Sequence, residues 1–527
     1  MRSPALALIS LSLMTLGHVL AAPLPQVTTR GNEFVIGDQA FRFVGVNLRG
    51  IAHYGEGDVL IYTVPAHRTE NLDGVVAMGG QVIRIFAPIP SPNLGPGLTT
   101  TEELIERLTV LLDQCEARGI YAIVALTDFY HASGFRVPGD DVYYTGGYLN
   151  SAFFSGGYLV NYLPWVQAAV TALQDHSAVF AWEIGNELTA YTGGVPEDIY
   201  PFVADVADEI QAIDTDTMVA FGGLSVQHLG VVPRDGGQTL AMFDDPNIDF
   251  VTVHIYNDDF SGDVTDTFAV AYAVDKPIIV EETGLDSSIF SNRPATLATE
   301  LASWMDTWEA RGVMQWGFQT QTYDIGDGDG IFGMDPNFFA FDWDGMNATY
   351  LARANLIAAS PVTVPEIVLP AGDNVAADAV GWSSSGDFSG SYGPDKAIDG
   401  IISEASKWTS NGSSPTSWMA LDLGGLHTIN GAIVRSAGAA HERVIYNTVA
   451  FEVQTGPTLT GPWTTRFSHS DTHAPSRVVC NFAAPVDARC VRLLITDAGI
   501  DNYARIPEFE VYGTDTVPAE LTGFEMR

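Results

Sequence analysis

Eight short runs, almost unbroken in apolar residues, recur between residues 40 and 320 with amphipathic stretches between them. This alternation limits the fold more than any other feature of the chain. The runs are FRFVGVNL (41–48), QVIRIFAPI (81–89), IYAIVALTDF (120–129), VFAWEIGNEL (179–188), TMVAFGGL (217–224), IDFVTVHIY (248–256), KPIIVEETG (276–284) and GVMQWGFQ (312–319). A strand with one wet face alternates apolar and polar residues. These runs do not alternate, so they read as strands covered on both faces. Between them the spacing is helical: in 101–118, Leu104, Leu108, Leu111, Leu112 and Cys115 share one face. Thr100 and Glu103 have the form of a capping box at its start. Glu116-Ala117-Arg118-Gly119 and Glu309-Ala310-Arg311-Gly312 each lead into a run, which places Gly119 and Gly312 in the left-handed position that closes a helix. Eight strand–helix units predict an α/β fold of the (β/α)8 TIM barrel type over residues 28–360. An open doubly wound sheet is the alternative, weakened because no G-x-G-x-x-G follows the first run.

The chain has 527 residues, more than one ordinary core accommodates. Residues 1–22 read as an export signal, with Arg2 at the start, an apolar stretch, and Ala21 and Ala22 at a small-residue cleavage site. The expected location is therefore extracellular or periplasmic, with a retained membrane anchor as the alternative. Residues 361–372, PVTVPEIVLPAG, read as a semi-extended connector. Beyond it helical periodicity stops, and short runs separated by Gly, Pro, Ser and Asn predict an all-β sandwich over 373–514, followed by a tail at 515–527. Net charge is −40, which repels phosphate backbones and excludes nucleic acid as a partner, whereas an uncharged glycan is not repelled. No membrane partner is expected, and the protein is expected to act as a monomer. Of three cysteines, Cys115 lies on a helix stripe as a core thiol. Cys480 and Cys490 are candidates for a disulfide, with free thiols equally open.

In such a barrel the chemistry sits where strands end. Those ends carry Arg84, Asp128 and His131, Asn186 and Glu187, His254 and Tyr256, Glu282, and Trp316. Two glutamates, an aspartate, two histidines, an arginine, an asparagine and aromatics at one rim are costly to bury unless they are paired or used. Glycosidic bond cleavage needs this inventory: one carboxyl protonates the leaving oxygen and another, ionised, attacks the anomeric carbon. The fourth and seventh strands face each other across the mouth, so Glu187 and Glu282 can straddle one linkage. Arg84 is placed to keep Glu282 ionised, Asn186 to bind a 2-hydroxyl, and Trp316 to offer a face to a pyranose. Glu183 lies too early on its strand. Glu281 is expected to point away from Glu282 by strand alternation. Asp324, Asp327 and Asp329 sit in a Gly-rich turn that reads as a solvated or substrate-lining loop, with calcium as the alternative.

Carried by Arg84 in VIRIF, Asn186-Glu187 in WEIGNE, His254 and Tyr256 in VHIY, Glu282 in VEETG and Trp316 in MQWGF, residues 28–360 resemble glycoside hydrolase family 5 of clan A. The resemblance implies a retaining enzyme with Glu187 as acid/base and Glu282 as nucleophile. It further implies Arg84, Asn186, His254, Tyr256, Trp316 and His131 as substrate-binding residues, and no cofactor for catalysis. Thr283 stands where many relatives carry an aromatic, and TDFYHASGF departs from the D-x-H of the cellulases. The insert YYTGGYLNSAFFSGGYLVNYLPW is more similar to the mannanase side of the family. The leading expectation is a secreted endo-β-1,4-mannanase acting on mannan. A β-1,4-glucanase is the runner-up, and a non-catalytic glycan-binding protein is the reading from another class.

KAIDG (396–400), KWTS (407–410), WMALDLGG (418–425), ARCVRLLIT (488–496) and IPEFEVYG (506–513) make residues 373–514 resemble the discoidin, or coagulation factor 5/8 type C, sandwich of carbohydrate-binding module family 32. That resemblance implies a jelly-roll fold, a glycan ligand and a structural calcium held by the side chains of Asp399 and Glu508 and the backbone of Lys396 and Thr409. His441, Arg443, Asn447 and Tyr503 are rim residues open to sugar binding or to ordinary loop roles. Trp408 and Trp418 are expected in the core.

Overall fold

A computed structural model describes residues 22–52, 65–87, 89–90, 99–130, 142–145, 148–189, 196–223, 225, 242–320, 331–334 and 342–516. The export signal, His131, the Asp324/Asp327/Asp329 turn and most of the tail lie outside the described residues.

The described chain enters through a small antiparallel sheet, β1 (Thr28–Arg30), β2 (Glu33–Ile36) and β3 (Gln39–Ala40). The eight runs then form β4 (Phe43–Asn47), β5 (Val82–Phe86), β6 (Tyr121–Ala125), β9 (Val179–Glu183), β10 (Met218–Ala220), β11 (Val251–Tyr256), β12 (Ile278–Gly284) and β13 (Gly312–Gln315). A two-stranded outlier, β7 (Tyr144–Thr145) and β8 (Tyr148–Leu149), comes from the tyrosine-rich insert. The eight are parallel, in the order β10-β9-β6-β5-β4-β13-β12-β11, and a bridge from Ala220 to Phe250 joins the two ends. The sheet is thus a closed barrel, and closure explains why the runs are apolar throughout: the interior packs one face and helices the other.

Phe34, Phe41, Phe43, Tyr121, Phe180 and Phe250 plug the lower end, with tilted and edge-to-face ring contacts at 5.2–6.2 Å. Outside, helix Thr101–Glu116 buries Leu104, Leu108, Leu111, Leu112 and Cys115, and Thr100 with Glu103 closes the capping box in both directions. Gly119 takes the left-handed conformation at φ 73°. Gly312 does not. Glu309, at φ 56°, makes that turn instead, and Gly312 opens β13, where a Cβ would lie 2.3 Å from the Phe43 ring. The repeated motif therefore conserves a glycine for two different steric reasons.

The second unit is antiparallel. Its main sheet runs β14 (Asp373–Asn374), β22 (Glu508–Asp515), β17 (Ser417–Arg435), β20 (Arg477–Asp497), β18 (Ala450–Gly456), β19 (Thr464–Ser470). In addition β15 (Gly381–Ser384) pairs with β17, and β16 (Trp408–Thr409) with β21 (Arg505–Ile506). Trp408 is buried in the core, as expected, whereas Trp418 is half-buried beneath Arg492. The disulfide expectation is corrected: Cys480 and Cys490 are free thiols on the same strand, β20, opposite Ala432 and Asp422 respectively. Ten positions along one extended strand span roughly 30 Å, far beyond disulfide reach.

The connector is docked at both ends. Ala40 N–H donates to Val362 C=O and Val364 N–H to Asp38 C=O, while Asn481 and Asn430 hold Val368 and Ala371 from the sandwich side. The sandwich also rests on helix Gly262–Ala273: His473 stacks on Tyr272 at 4.2 Å, and Ser476 N–H donates to Ala273 C=O at 3.0 Å. That bond satisfies one of the carbonyls the helix end leaves without an internal partner.

Candidate active site

Arg84 on β5 organises the upper interior of the barrel. It is 0% exposed, and its fork grips Glu183 with Nε to Oε2 and Nη2 to Oε1, both at 2.6 Å. Its Nη1 reaches Glu282 at 2.5 Å and Asn47 at 3.2 Å, and Nη2 also donates to Asn186 at 2.8 Å. The expectation that Arg84 touches substrate is corrected here: a fully enclosed guanidinium stands behind the carboxylates and orients them.

Asn186 and Glu187 follow the end of β9. The Asn186 amide accepts from Arg84 and donates to Asp128 at 2.8 Å, so its orientation is fixed by two partners. Glu187 sits at φ 51°, a left-handed conformation uncommon for a side chain of its size. Strain of this kind persists where surrounding bonds over-determine it, and the Glu187 backbone N–H is tied to Gly222 C=O at 2.8 Å. His254 on β11 lies between the carboxylates, with Nδ1 2.6 Å from Glu187 and 3.3 Å from Glu282. One oxygen of Glu187, one of Glu282 and a ring nitrogen of His254 all fall within 4.8 Å of one another. Tyr256 donates to Glu282 Oε2 at 2.7 Å. Trp316, following β13, packs edge-on against Phe86 at 6.2 Å and forms an apolar wall with Phe86 and Ala125, flanked by Tyr256 and Phe332.

Sequence reasoning missed two groups. Tyr130, one residue before His131, donates to Glu187 Oε2 at 2.5 Å and packs on Tyr148 of the insert at 5.5 Å. A tyrosine at the end of a buried run was the available signal. The other miss is Glu281. Its Oε2 lies 3.6 Å from Arg84 and 3.4 Å from His254, on the same side as Glu282. The expectation that it points away fails because β12 is bulged: Val280 pairs with Val313 but Thr283 with Gln315, and Val253 pairs with Val280 but His254 with Glu282. One extra residue suspends the alternation and turns both acids inward.

Charge follows geometry. Burial opposes a charge on His254, but Glu282, Glu187 and Glu281 prevail and push it up to about 10. Burial also opposes ionisation of Glu187, yet bonds from His254 and Tyr130 hold its carboxyl below the usual value. For Glu282 burial wins over His254 and Arg84, and its carboxyl is raised. Glu187, Glu282 and His254 lie close enough that the charge on each depends on the other two.

In the sandwich, Asp399 accepts from Ile401 N–H at 2.9 Å and Ser406 O–H at 2.5 Å. Glu508 accepts from Gly400 N–H at 3.2 Å through Oε2, while its Oε1 and Thr409 Oγ1 are buried without a hydrogen-bond partner. Burial and the neighbouring Asp399 push Glu508 up to about 7. An orphaned acidic oxygen beside a second carboxylate suits a hard cation. The rim residues are largely engaged elsewhere: Asn447 is buried and holds Gly438, Ala474 and Ser476. His441 lies 3.7 Å from Asp244 of the barrel, Arg443 bonds the Tyr446 hydroxyl, and Tyr503 packs against Phe388.

Residues 40–324 match the Cellulase (glycosyl hydrolase family 5) profile, and residues 381–509 match the F5/8 type C domain. The probable mannan endo-1,4-beta-mannosidase A of Aspergillus oryzae is 26% identical over 300 residues, covering 51% of this chain and 74% of that protein. Mannan endo-1,4-beta-mannosidase A of Podospora anserina is 24% identical over 283 residues, covering 49% and 73%. The endo-1,4-beta-mannanase structure from Rhizomucor miehei aligns with a TM-score of 0.50 at 18% identity, covering 63% of this chain and 99% of that one, which shows a common fold. Because the catalytic profile spans more than half its length, the chain belongs to glycosyl hydrolase family 5, with an F5/8 type C domain appended.

Proposed function

We propose that this protein is an endo-β-1,4-mannanase that cleaves mannan with retention, Glu187 acting as acid/base and Glu282 as nucleophile. The observation that carries the reading is the approach of the two carboxylates, one oxygen of each within 4.8 Å across His254. Retaining enzymes keep this pair about 5–5.5 Å apart, and inverting ones leave room for a water at about 6.5–9.5 Å. When a sugar enters, the cationic character that develops at the anomeric carbon favours an ionised Glu282. Glu187 carries the proton at that stage, and His254 Nδ1, in reach of both acids, holds the two carboxylates in place. Glu187 protonates the leaving oxygen, Glu282 forms the glycosyl-enzyme, and Glu187 next activates water. Arg84 and Tyr256 hold Glu282 in line.

Mannan is favoured because the relatives above are named for it; a β-1,4-glucan is the second reading, favoured by the family's Cellulase profile. Reducing-sugar release and product sizing on mannan, galactomannan, carboxymethylcellulose and laminarin test this. Short β-1,4-mannooligosaccharides should dominate, and cleavage of carboxymethylcellulose alone would overturn the substrate. Tyr130→Phe removes a hydrogen bond to a charged group, costing about 1.5–3 kcal/mol in the free enzyme. Because that bond holds Glu187 down, its loss should move the basic limb of the kcat/KM profile to higher pH. An unmoved limb would contradict the role of Tyr130.

The chain is read as exported. Its sandwich is read as binding calcium through Asp399 and Glu508, with the Lys396 and Thr409 carbonyls in support. Without the ion, Glu508 is protonated in the fold up to about pH 7, whereas the unfolded group ionises near 4.5. Between those values the unfolded chain binds fewer protons, so stability should fall as pH rises. Thermal melts in chelator should show this fall and calcium should reverse it; identical melts with and without calcium at pH 7 would refute the site.

A further inference from the structure

Below the two catalytic acids lies a second pair of carboxylates that the double displacement does not use. Glu183 and Glu281 are both 0% exposed and lie within hydrogen-bonding reach of each other. Glu183 fills the Arg84 fork, leaving only Nη1 for Glu282 and Asn47. Glu281 faces His254 Nε2, the nitrogen opposite the one shared by Glu187 and Glu282. Each buried acid therefore sets the direction of one cation, and each cation sets the position of a catalytic carboxylate.

The backbone is shaped around this arrangement. The β12 bulge exists where Glu281 and Glu282 must face one way. Gly222, at φ 80°, passes so close that a Cβ would meet Glu183 Oε1 at 2.3 Å and Gly185 C=O at 2.5 Å. Glu183, Glu187, Glu281 and Glu282 are four acids against two cations, Arg84 and His254. Two carboxylates in contact cannot both ionise in such a place. In keeping with this, Glu281 Oε1 is buried and meets no N–H or O–H donor.

We propose that Glu183 and Glu281 share one proton as a buried acid–carboxylate pair, and that this pair is the positioning device that aims Arg84 at Glu282 and His254 at the catalytic acids. The proposal rests on the double-displacement reading of the cleft. The charge balance agrees with it: burial, against the opposing Arg84 and with help from Glu281, pushes Glu183 up to about 8. The charged and titratable groups beside the pair are Arg84, His254 and the Tyr162 hydroxyl.

Ring NMR of His254 and infrared spectroscopy of the carboxyl groups, on the full chain without substrate, test the pair in Glu183→Gln, Glu281→Gln and the double variant. The wild type should show protonated-carboxyl intensity at neutral pH that falls by the equivalent of one carboxyl in the double variant. Removing the charge that Glu281 places beside the ring should lower the His254 titration by about one to three pH units in the double variant. In kinetics, kcat should fall with KM nearly kept, and Glu281→Gln should retain at least about tenfold more kcat than Glu281→Ala, because glutamine keeps the shape of a protonated acid. Equal protonated-carboxyl intensity in the wild type and the double variant, an unmoved His254 titration in the double variant, or equal losses in the glutamine and alanine variants would overturn the proposal. The spectroscopic readouts need no sugar, so they stand apart from any error in the assigned substrate.

Discussion

Replacing Glu282 with alanine should lower kcat by about 10⁴–10⁶-fold while leaving the barrel folded. Both Arg84 and Tyr256 hold this side chain at the cleft. Stability should change little, because Arg84 keeps its two bonds to Glu183 and its contact with Glu281. Small anions such as azide, fitting the space left by the carboxylate, should restore part of the turnover on an activated aryl mannoside and give an α-linked product. Near-native activity in this variant, measured with a circular dichroism melt to confirm folding, would remove Glu282 from the mechanism.

Glu187→Ala should divide substrates by their leaving groups. Cleavage of mannan needs a proton on a poor leaving oxygen and should fall by about 10²–10⁴-fold, the usual worth of general acid catalysis. Aryl glycosides with acidic phenols leave unaided, so formation of the glycosyl-enzyme on them should hardly slow, and the intermediate should accumulate because water is no longer activated. A burst followed by slow turnover is the expected trace. Equal losses on both substrate types would assign Glu187 a structural role.

The barrel was legible because closure leaves a mark on the sequence. Both faces of each strand are covered, so the runs lose their alternation, and the ends of those runs stand out by carrying polar residues that a strand cannot bury idly. Glu187, Asn186, His254, Tyr256 and Glu282 were readable on that ground, and the structure brings them into one cluster. What failed was whatever depends on a local break in the repeat. Strand alternation dismissed Glu281, and a single-residue bulge, invisible in the apolar pattern, reversed its direction. Glu183 was set aside as too early on its strand, although an arginine buried beside it demanded a counter-charge. Gly312 was read by analogy with Gly119, yet the Phe43 ring, distant in sequence, decides its identity. The docking of the sandwich was hidden for the same reason: His473 and Ser476 look like ordinary loop residues until Tyr272 and the helix end they meet are placed beside them.

The pair of carboxylates flanking His254 supports attack and protonation across one sugar bond, and the stereochemistry of the newborn product reads this out directly. Proton NMR of the anomeric signals during the first minutes of hydrolysis of a β-1,4-mannooligosaccharide should show the β-anomer first, with the α-anomer rising later as the sugar equilibrates. Prompt appearance of the α-anomer would mean a single displacement by water, and the assignment of Glu282 as nucleophile would be wrong.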